Sequence, residues 1–236
     1  MGLVIVQSRL NCLDFDYFLT RLLSIITIFI SMIKSGCELF EGYEDGITCI
    51  YGGASTGKTT LAKLAAIEQA KNNKKVVYID TENGFNLDRI KQLVRDEDEF
   101  QRVLENVILF KPKRFSEQNK IIKLLPEMKN VSLIIVDTIS YFYRAKVREK
   151  PKVYNMWIWR QLGILNELSK NIPVIITNQV YNDISKDRIE MIGGDSFKKF
   201  SSEVIRLEKE PRKLIFEKPD KKIVRFEIVK DGLAKL

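Results

Sequence analysis

The chain has 236 residues, 45% apolar and 30% charged, enough for one α/β domain with a sizeable core and at most a small appendage. Its 39 lysines and arginines against 31 acids leave a formal charge of +8, which permits a polyanionic partner without demanding one. Histidine is absent, which excludes Ser-His-Asp triads, imidazole metal cages and histidine proton shuttles and leaves acid–base work to carboxylates, lysine, tyrosine or water.

Leu22 to Ile33 is an uncharged run of twelve residues, shorter than the roughly 20 that a membrane-spanning helix needs. Asp14 and Asp16 precede it, unlike the basic start of a secretion signal. Two readings remain: an apolar helix docked on the body or on a partner, or an upstream extension with the functional start at Met32. The residues after Met32 already open a domain, so the expectation is an extension over 1–34 and a core over 35–236. Cys12, Cys37 and Cys49 show neither metal-ligand spacing nor a paired disulfide framework, as in a reducing compartment. A cytoplasmic protein without stable membrane insertion is expected.

Ile47 to Tyr51 reads as a short buried strand. It runs into Gly52-Gly53-Ala54-Ser55-Thr56-Gly57-Lys58-Thr59, the G-x-x-x-x-G-K-T pattern of a phosphate-binding loop, and Thr60 onward reads as a helix. Glycines let such a loop curl its N–H groups inward, and the helix N-terminus adds partial positive charge. Lys58 then reaches the β- and γ-phosphates, and the Thr59 hydroxyl ligates Mg²⁺. A nucleoside triphosphate, ATP, is the expected ligand.

Further strands are expected at Lys75–Asp80, Val107–Phe110, Val131–Asp137 and Pro173–Thr177. Helices are expected near Leu87–Arg95, Glu117–Met128 and Asn155–Lys170. Strands this apolar, alternating with helices, predict an α/β fold with a mostly parallel sheet covered on both faces. After Glu203 the pattern changes: Val204–Leu207, Leu214–Phe216 and Ile223–Val229 read as a C-terminal antiparallel meander, with Val224, Phe226 and Ile228 alternating against Arg225 and Glu227.

Asp137 ends a buried strand and is the natural second Mg²⁺ ligand beside Thr59. Glu82 follows another strand, where a carboxylate can polarise attacking water or cap the next helix. Gln179 follows the last buried parallel strand, where an amide can sense the γ-phosphate. Arg144, Lys146, Arg148, Lys150 and Lys152 face one acid between 144 and 152, with aromatics on either side. That mixture grips phosphates and stacks on bases in single-strand binders, or it is a solvated basic loop over core aromatics.

Together these pieces resemble the RecA superfamily and, within it, the archaeal-type recombinases. The resemblance rests on Tyr78-Ile79-Asp80-Thr81-Glu82, Tyr143-Arg144, Ile176-Thr177-Asn178-Gln179-Val180 and Ile192-Gly193-Gly194, and it runs from about Ser35 to Gly232. It implies a RecA-like P-loop core in which Glu82 is the catalytic base, Gln179 the γ-phosphate sensor and 144–152 the first DNA-binding loop. It also implies that the strand before Gln179 lies between the phosphate-loop strand and the Asp137 strand. Three departures point to one subfamily: nothing before Ser35 is comparable to a helical DNA-binding domain, the segment Val180–Ile192 is short, and no F-x-x-A motif precedes the core.

These features resemble the RadB family, short paralogues of the RadA recombinase. That likeness implies an accessory role in homologous recombination and DNA repair, with ATP-dependent DNA binding, weak ATP hydrolysis, single-stranded DNA, RadA-type and other recombination partners, and a possible homo-oligomer. Arg89 keeps one arginine of the family's adenine-side motif, while Asn86 replaces another. The alternative is a regulatory ATPase of the same superfamily that acts through protein contacts without DNA.

Overall fold

The sequence past Met32 opens with a short antiparallel pair, β1 (Ile33–Lys34) against β2 (Gly42–Tyr43), which no alternation in the sequence signals. The structure is a computed structural model, described for residues 32–183 and 188–236; the apolar run before Met32 lies outside the described residues.

Strands β3 (Ile47–Gly52), β4 (Lys75–Asp80), β5 (Val107–Phe110), β6 (Val131–Asp137) and β7 (Val174–Asn178) are mutually parallel in the order β3-β7-β6-β4-β5. The strand leading to Gln179 therefore does lie between the phosphate-loop and Asp137 strands. Helix α1 (Lys58–Ala70) leads from β3 towards β4. Helices α2 (Leu87–Leu93) and α3 (Glu97–Asn106) join β4 to β5, and α4 (Phe115–Leu124), with a tight turn at Leu125–Glu127, joins β5 to β6. Between β6 and β7 run α5 (Tyr141–Lys146) and α6 (Pro151–Leu168).

The strands are buried on both faces because their side chains feed two cores. Val76, Tyr78, Leu133 and Ile135 pack on the α1 side with Leu61 and Ala65. The intervening Val77, Ile79, Ile134 and Val136 pack on the other side with Ile122, Ile158 and Leu162. This strict alternation is the period of a pleated strand, and it explains why none of these parallel strands has a wet face.

Beyond β7 come a separate hairpin, β8 (Val180–Asp183) with β9 (Arg188–Met191), and α7 (Asp195–Phe200). β10 (Glu203–Lys209) pairs parallel to β3, and β11 (Arg212–Lys218), β12 (Lys222–Val229) and β13 (Gly232–Lys235) follow antiparallel, completing a nine-stranded sheet. The meander thus has the expected strands plus β13.

Two further differences have local causes. Helix α3 starts where the Asp96 carboxylate accepts from Glu99 N at 2.8 Å and the Glu99 carboxylate accepts from Arg95 N at 3.0 Å, a reciprocal cap that a polar reading of 95–99 overlooks. The basic segment is not one loop: Tyr141–Lys146 is helical, and Pro151 opens α6 at a first-turn position where its missing N–H costs nothing.

Candidate nucleotide site and basic segment

Backbone geometry shapes the phosphate loop. Gly57, at φ 108°, hands the chain into α1, whose first backbone bond runs from Leu61 N to Gly57 O, leaving the N–H groups at the helix start without intrahelical acceptors. Gly52 lies so close to β10 that an added Cβ would stand 2.4 Å from the Leu207 carbonyl oxygen. Thr56 is buried and donates to Gly53 O at 3.0 Å, bracing the loop from within, while Ala54 and Ser55 form its exposed rim. Arg212 reaches across from β11 to donate to Ser55 O at 3.0 Å.

Lys58 Nζ donates to Gly52 O at 2.9 Å and Gly53 O at 2.6 Å, so its ammonium sits inside the loop's own curve. Burial pulls its pKa below the ordinary lysine value, partly offset by the carboxylates of Asp137 and Glu82. An ammonium short of water and surrounded by carbonyl oxygens is set to grip phosphate oxygens.

Below the loop, Thr59 Oγ1 lies 3.3 Å from Asp137 Oδ1. Asp137 also accepts from Tyr78 Oη at 2.8 Å and from Thr177 Oγ1 at 2.5 Å. Burial pushes the Asp137 carboxyl pKa up, and the three hydroxyl donors act against that shift, favouring the carboxylate. Among the described residues no group of three acids or cysteines could hold a metal unaided. The hydroxyl of Thr59 beside a carboxylate fits Mg²⁺, a hard cation that keeps waters and takes phosphate oxygens for the rest of its shell. Gly84 borders this spot: a Cβ there would lie 3.3 Å from Thr59 Cγ2 and 3.9 Å from Asp137 Oδ2.

The loop that carries Glu82 is shaped by Asp80, whose two carboxylate oxygens accept from Gly84 N and Phe85 N, each at 2.9 Å. Thr81 and Thr138 exchange bonds across the ends of β4 and β6. Glu82 itself is exposed, and its Oε1 accepts from Gln179 Nε2 at 2.8 Å. The proposed base and sensor therefore meet directly, next to the Lys58 and Asp137 end of the sheet.

A sequence model of the Rad51 family matches residues 28–225. The DNA repair and recombination protein RadB of Methanococcus maripaludis is 37% identical over 211 residues, covering 83% of this chain and 95% of that protein. The RadB of Methanocaldococcus jannaschii is 38% identical over 208 residues, covering 83% and 96%. A solved structure described as a crystal structure of the RadB recombinase superposes with a TM-score of 0.69 at 28% identity, covering 86% of this chain and 98% of that one. The chain belongs to the RadB family. The RecA-like core with its C-terminal meander is the fold of that family.

The basic segment lies next to Gln179 and Glu82, with Arg144 Nη1 3.1 Å from Gln179 Oε1. Arg144, Lys146, Arg148, Lys150 and Lys152 are all exposed. Lys146 is paired with Glu149 at 2.7 Å, a surface pair of small net worth. The aromatics around them divide. Tyr143 is buried and donates to Asn155 Oδ1 at 2.6 Å, and Tyr154 and Trp157 are half-buried where they pack on Phe115. Tyr141 and Trp159 are exposed. Within the short Val180–Ile192 segment, residues 184–187 lie outside the described residues.

Arg89 is engaged with protein. It donates to Lys230 O at 2.7 Å, Val229 O at 3.3 Å and Gln92 Oε1 at 2.9 Å, tying α2 to the β12–β13 turn. Thr60 stands half-buried in the first turn of α1, beside Thr59. Sequence reasoning missed Tyr78, Asp80, Gly84 and Thr177 as parts of the site. Asp80 and Thr177 had a signal, a polar residue closing an apolar strand; the partners of Tyr78 and Gly84 are distant in sequence. Among the described residues, no helix is long and apolar enough to cross a membrane.

Proposed function

We propose that this chain is an ATP- and Mg²⁺-dependent, DNA-binding accessory protein of recombinational repair that hydrolyses ATP slowly. The repair and recombination role comes with the family. The observation that carries the finer reading is the convergence, at one end of the parallel strands, of Lys58, the Thr59–Asp137 pair and the Glu82–Gln179 pair, with exposed Arg144 bonded to that same Gln179.

In this reading Lys58 and the loop amides hold the phosphates, and Thr59 and Asp137 hold Mg²⁺, which supplies charge neutralisation between the phosphates. Glu82 accepts the proton of the attacking water and Gln179 contacts the γ-phosphate, so the protein's work is positioning and electrostatics. Arg144, Lys146, Arg148, Lys150 and Lys152 grip the phosphates of single-stranded DNA. A RadA-type recombinase is the expected protein partner, a homo-oligomer the expected assembly and the cytoplasm the expected location.

The test measures affinity for oligo(dT) with and without ATP across a salt series. Neutralising Arg144, Lys146 and Arg148 together should flatten the slope of log affinity against log salt by about 0.7 per lost phosphate contact, while ATP affinity stays the same. Lys58→Ala should weaken ATP binding by about a hundredfold, because charge-assisted contacts to phosphate disappear while core packing stays intact. An unchanged salt slope would remove DNA from this segment, and unchanged ATP affinity would remove the nucleotide from the loop.

A further inference from the structure

Three exposed cations stand apart from the site described so far: Lys111, Lys113 and Arg114, in the turn between β5 and α4. β5 runs parallel to β4, so this turn leaves the sheet at the same end as the loop that carries Glu82. Lys111 Nζ lies 3.4 Å from the Phe85 carbonyl oxygen of that loop.

Packing sets this turn against the basic segment, although the two are far apart in sequence. Phe115, the residue after Arg114, is buried among Tyr143, Tyr154 and Trp157, with ring centroids 6.5, 5.7 and 5.8 Å away. Tyr143 belongs to α5, and Tyr154 and Trp157 to the opening turns of α6, so the start of α4 is fixed to the helices on either side of residues 147–150. A second clamp lies one turn further along α4. Gln118 Nε2 donates to Gln161 Oε1 on α6 at 2.9 Å and to Ile139 O beyond β6 at 3.1 Å, and both glutamines are buried. Adjacent residues are only about 3.8 Å apart at Cα, so Arg114 cannot stray from the segment that Phe115 is packed against.

The turn itself is braced. The Glu117 carboxylate accepts from Lys113 N at 2.8 Å and from Arg114 Nε at 2.7 Å, clasping both residues to the first turn of α4. The Lys113 N–H and then the Arg114 side chain hold the Glu117 pKa below the ordinary carboxylate value. A guanidinium has several N–H donors, and this bond uses only the one on Nε. Among the described residues, the Arg114 Nη groups and the Lys113 ammonium have no partner, so they are left for an acceptor from outside.

We propose that Lys111, Lys113 and Arg114 form a second phosphate-gripping tract, so that a single strand of DNA held along 144–152 continues across the start of α4. This rests on the reading of 144–152 as the DNA site. Charge identifies the occupant: the turn presents cations while Phe115 and Tyr143 beside it are buried, which suits a row of phosphates and not the faces of bases. The tract therefore adds affinity without sequence preference.

The experiment measures oligo(dT) affinity across a salt series for the full native chain and two triple variants. One is Lys111→Gln with Lys113→Gln and Arg114→Gln. The control, Lys74→Gln with Lys129→Gln and Lys170→Gln, removes the same charge just before β4, β6 and β7, at the opposite end of the strands. All six residues are exposed, so both variants should keep the native denaturation midpoint. The first variant should flatten the slope of log affinity against log salt by about 2, at about 0.7 for each lost phosphate contact, with ATP affinity unchanged. The control should keep the native slope. If the triple variant is less stable, Lys113→Gln alone should still flatten the slope by about 0.7. A native slope in the first variant overturns the proposal. An equal fall in the control overturns it too, since net charge alone would then govern binding, as does a fall confined to inorganic polyphosphate. The Arg144, Lys146 and Arg148 series judges the proposed function separately: if it flattens the slope and the 111–114 series does not, the basic segment stands and the second tract falls.

Discussion

The parallel strands and the antiparallel meander meet at β3 and β10 but handle burial differently. In β3 and β7 every residue is buried, and the polar side chains there are drawn into bonds, Thr177 to Asp137 and the Asn178 amide nitrogen to the Ile192 carbonyl, while Asn178 Oδ1 is left without a partner. β12 alternates, burying Val224 and Phe226 and exposing Arg225 and Glu227. Chemistry concentrates at the ends of the first region because a polar residue ending a doubly buried strand must be satisfied or put to use. The meander carries none of the proposed catalytic groups. It braces the phosphate loop: an added Cβ at Gly57 would meet Ile228, Leu233 and Phe226 at 3.7–3.8 Å, and Arg212 and the β10 backbone hold the loop's rim and root.

That division predicts that damage to the meander reaches the loop, whereas equal damage on the opposite core does not. Phe226→Ala should cost about 3–5 kcal/mol by chemical denaturation, and ATP affinity should fall with it. Leu162→Ala, a truncation in α6 on the far face, should cost about 2–5 kcal/mol and leave ATP affinity unchanged in the folded protein. Equal nucleotide affinity in the two variants would break the comparison.

A smaller effect tests the seam between the regions. Glu203 opens β10 and accepts from Thr48 Oγ1 on β3 at 3.0 Å, and burial pushes its pKa from 4.5 to about 7, with the Thr48 bond opposing and Glu44 adding. The folded state therefore holds a proton that the unfolded state releases, so stability falls as pH rises from about 4.5 towards 7. Glu203→Gln keeps an acceptor for Thr48 and should be more stable than the native protein at pH 8 by about 1–3 kcal/mol, with no gain at pH 4. Denaturation midpoints at the two pH values check it; a gain of the same size at both would point to packing instead of charge.

The smallest expected effect concerns the segment before the sheet. A chain beginning at Met32 retains β1 and every residue of the proposed site. Its melting temperature and ATP affinity should match those of the full chain, and failure to fold would make the apolar run part of the core.

The parts of the candidate site that were legible are local or stereotyped: the glycine-rich loop is contiguous, and Asp137 ends an unmistakable strand. Tyr78 was not, since an aromatic residue in a strand reads as core and its hydroxyl finds Asp137 only across the sheet. Gly84 reads as a turn residue, and its closeness to Thr59 exists only once β4 and α1 are side by side. The aromatic residues flanking the basic segment were ambiguous for the opposite reason: composition suits both stacking and packing, and only the position of Phe115 decides that Tyr154 and Trp157 pack.

The place of β3 in the sheet also bears on how the chain comes together. Its neighbours are Val174–Asn178 on one side and Glu203–Lys209 on the other, so the strand that roots the phosphate loop has no sheet partner until most of the polypeptide has been made. Pairings this distant in sequence are slow to close, and an unpaired apolar strand such as Ile47–Gly52 is prone to aggregate while it waits. During synthesis β4 and β5 can pair early, with β6 joining next, whereas the glycine-rich loop after β3 is translated early and assembled late.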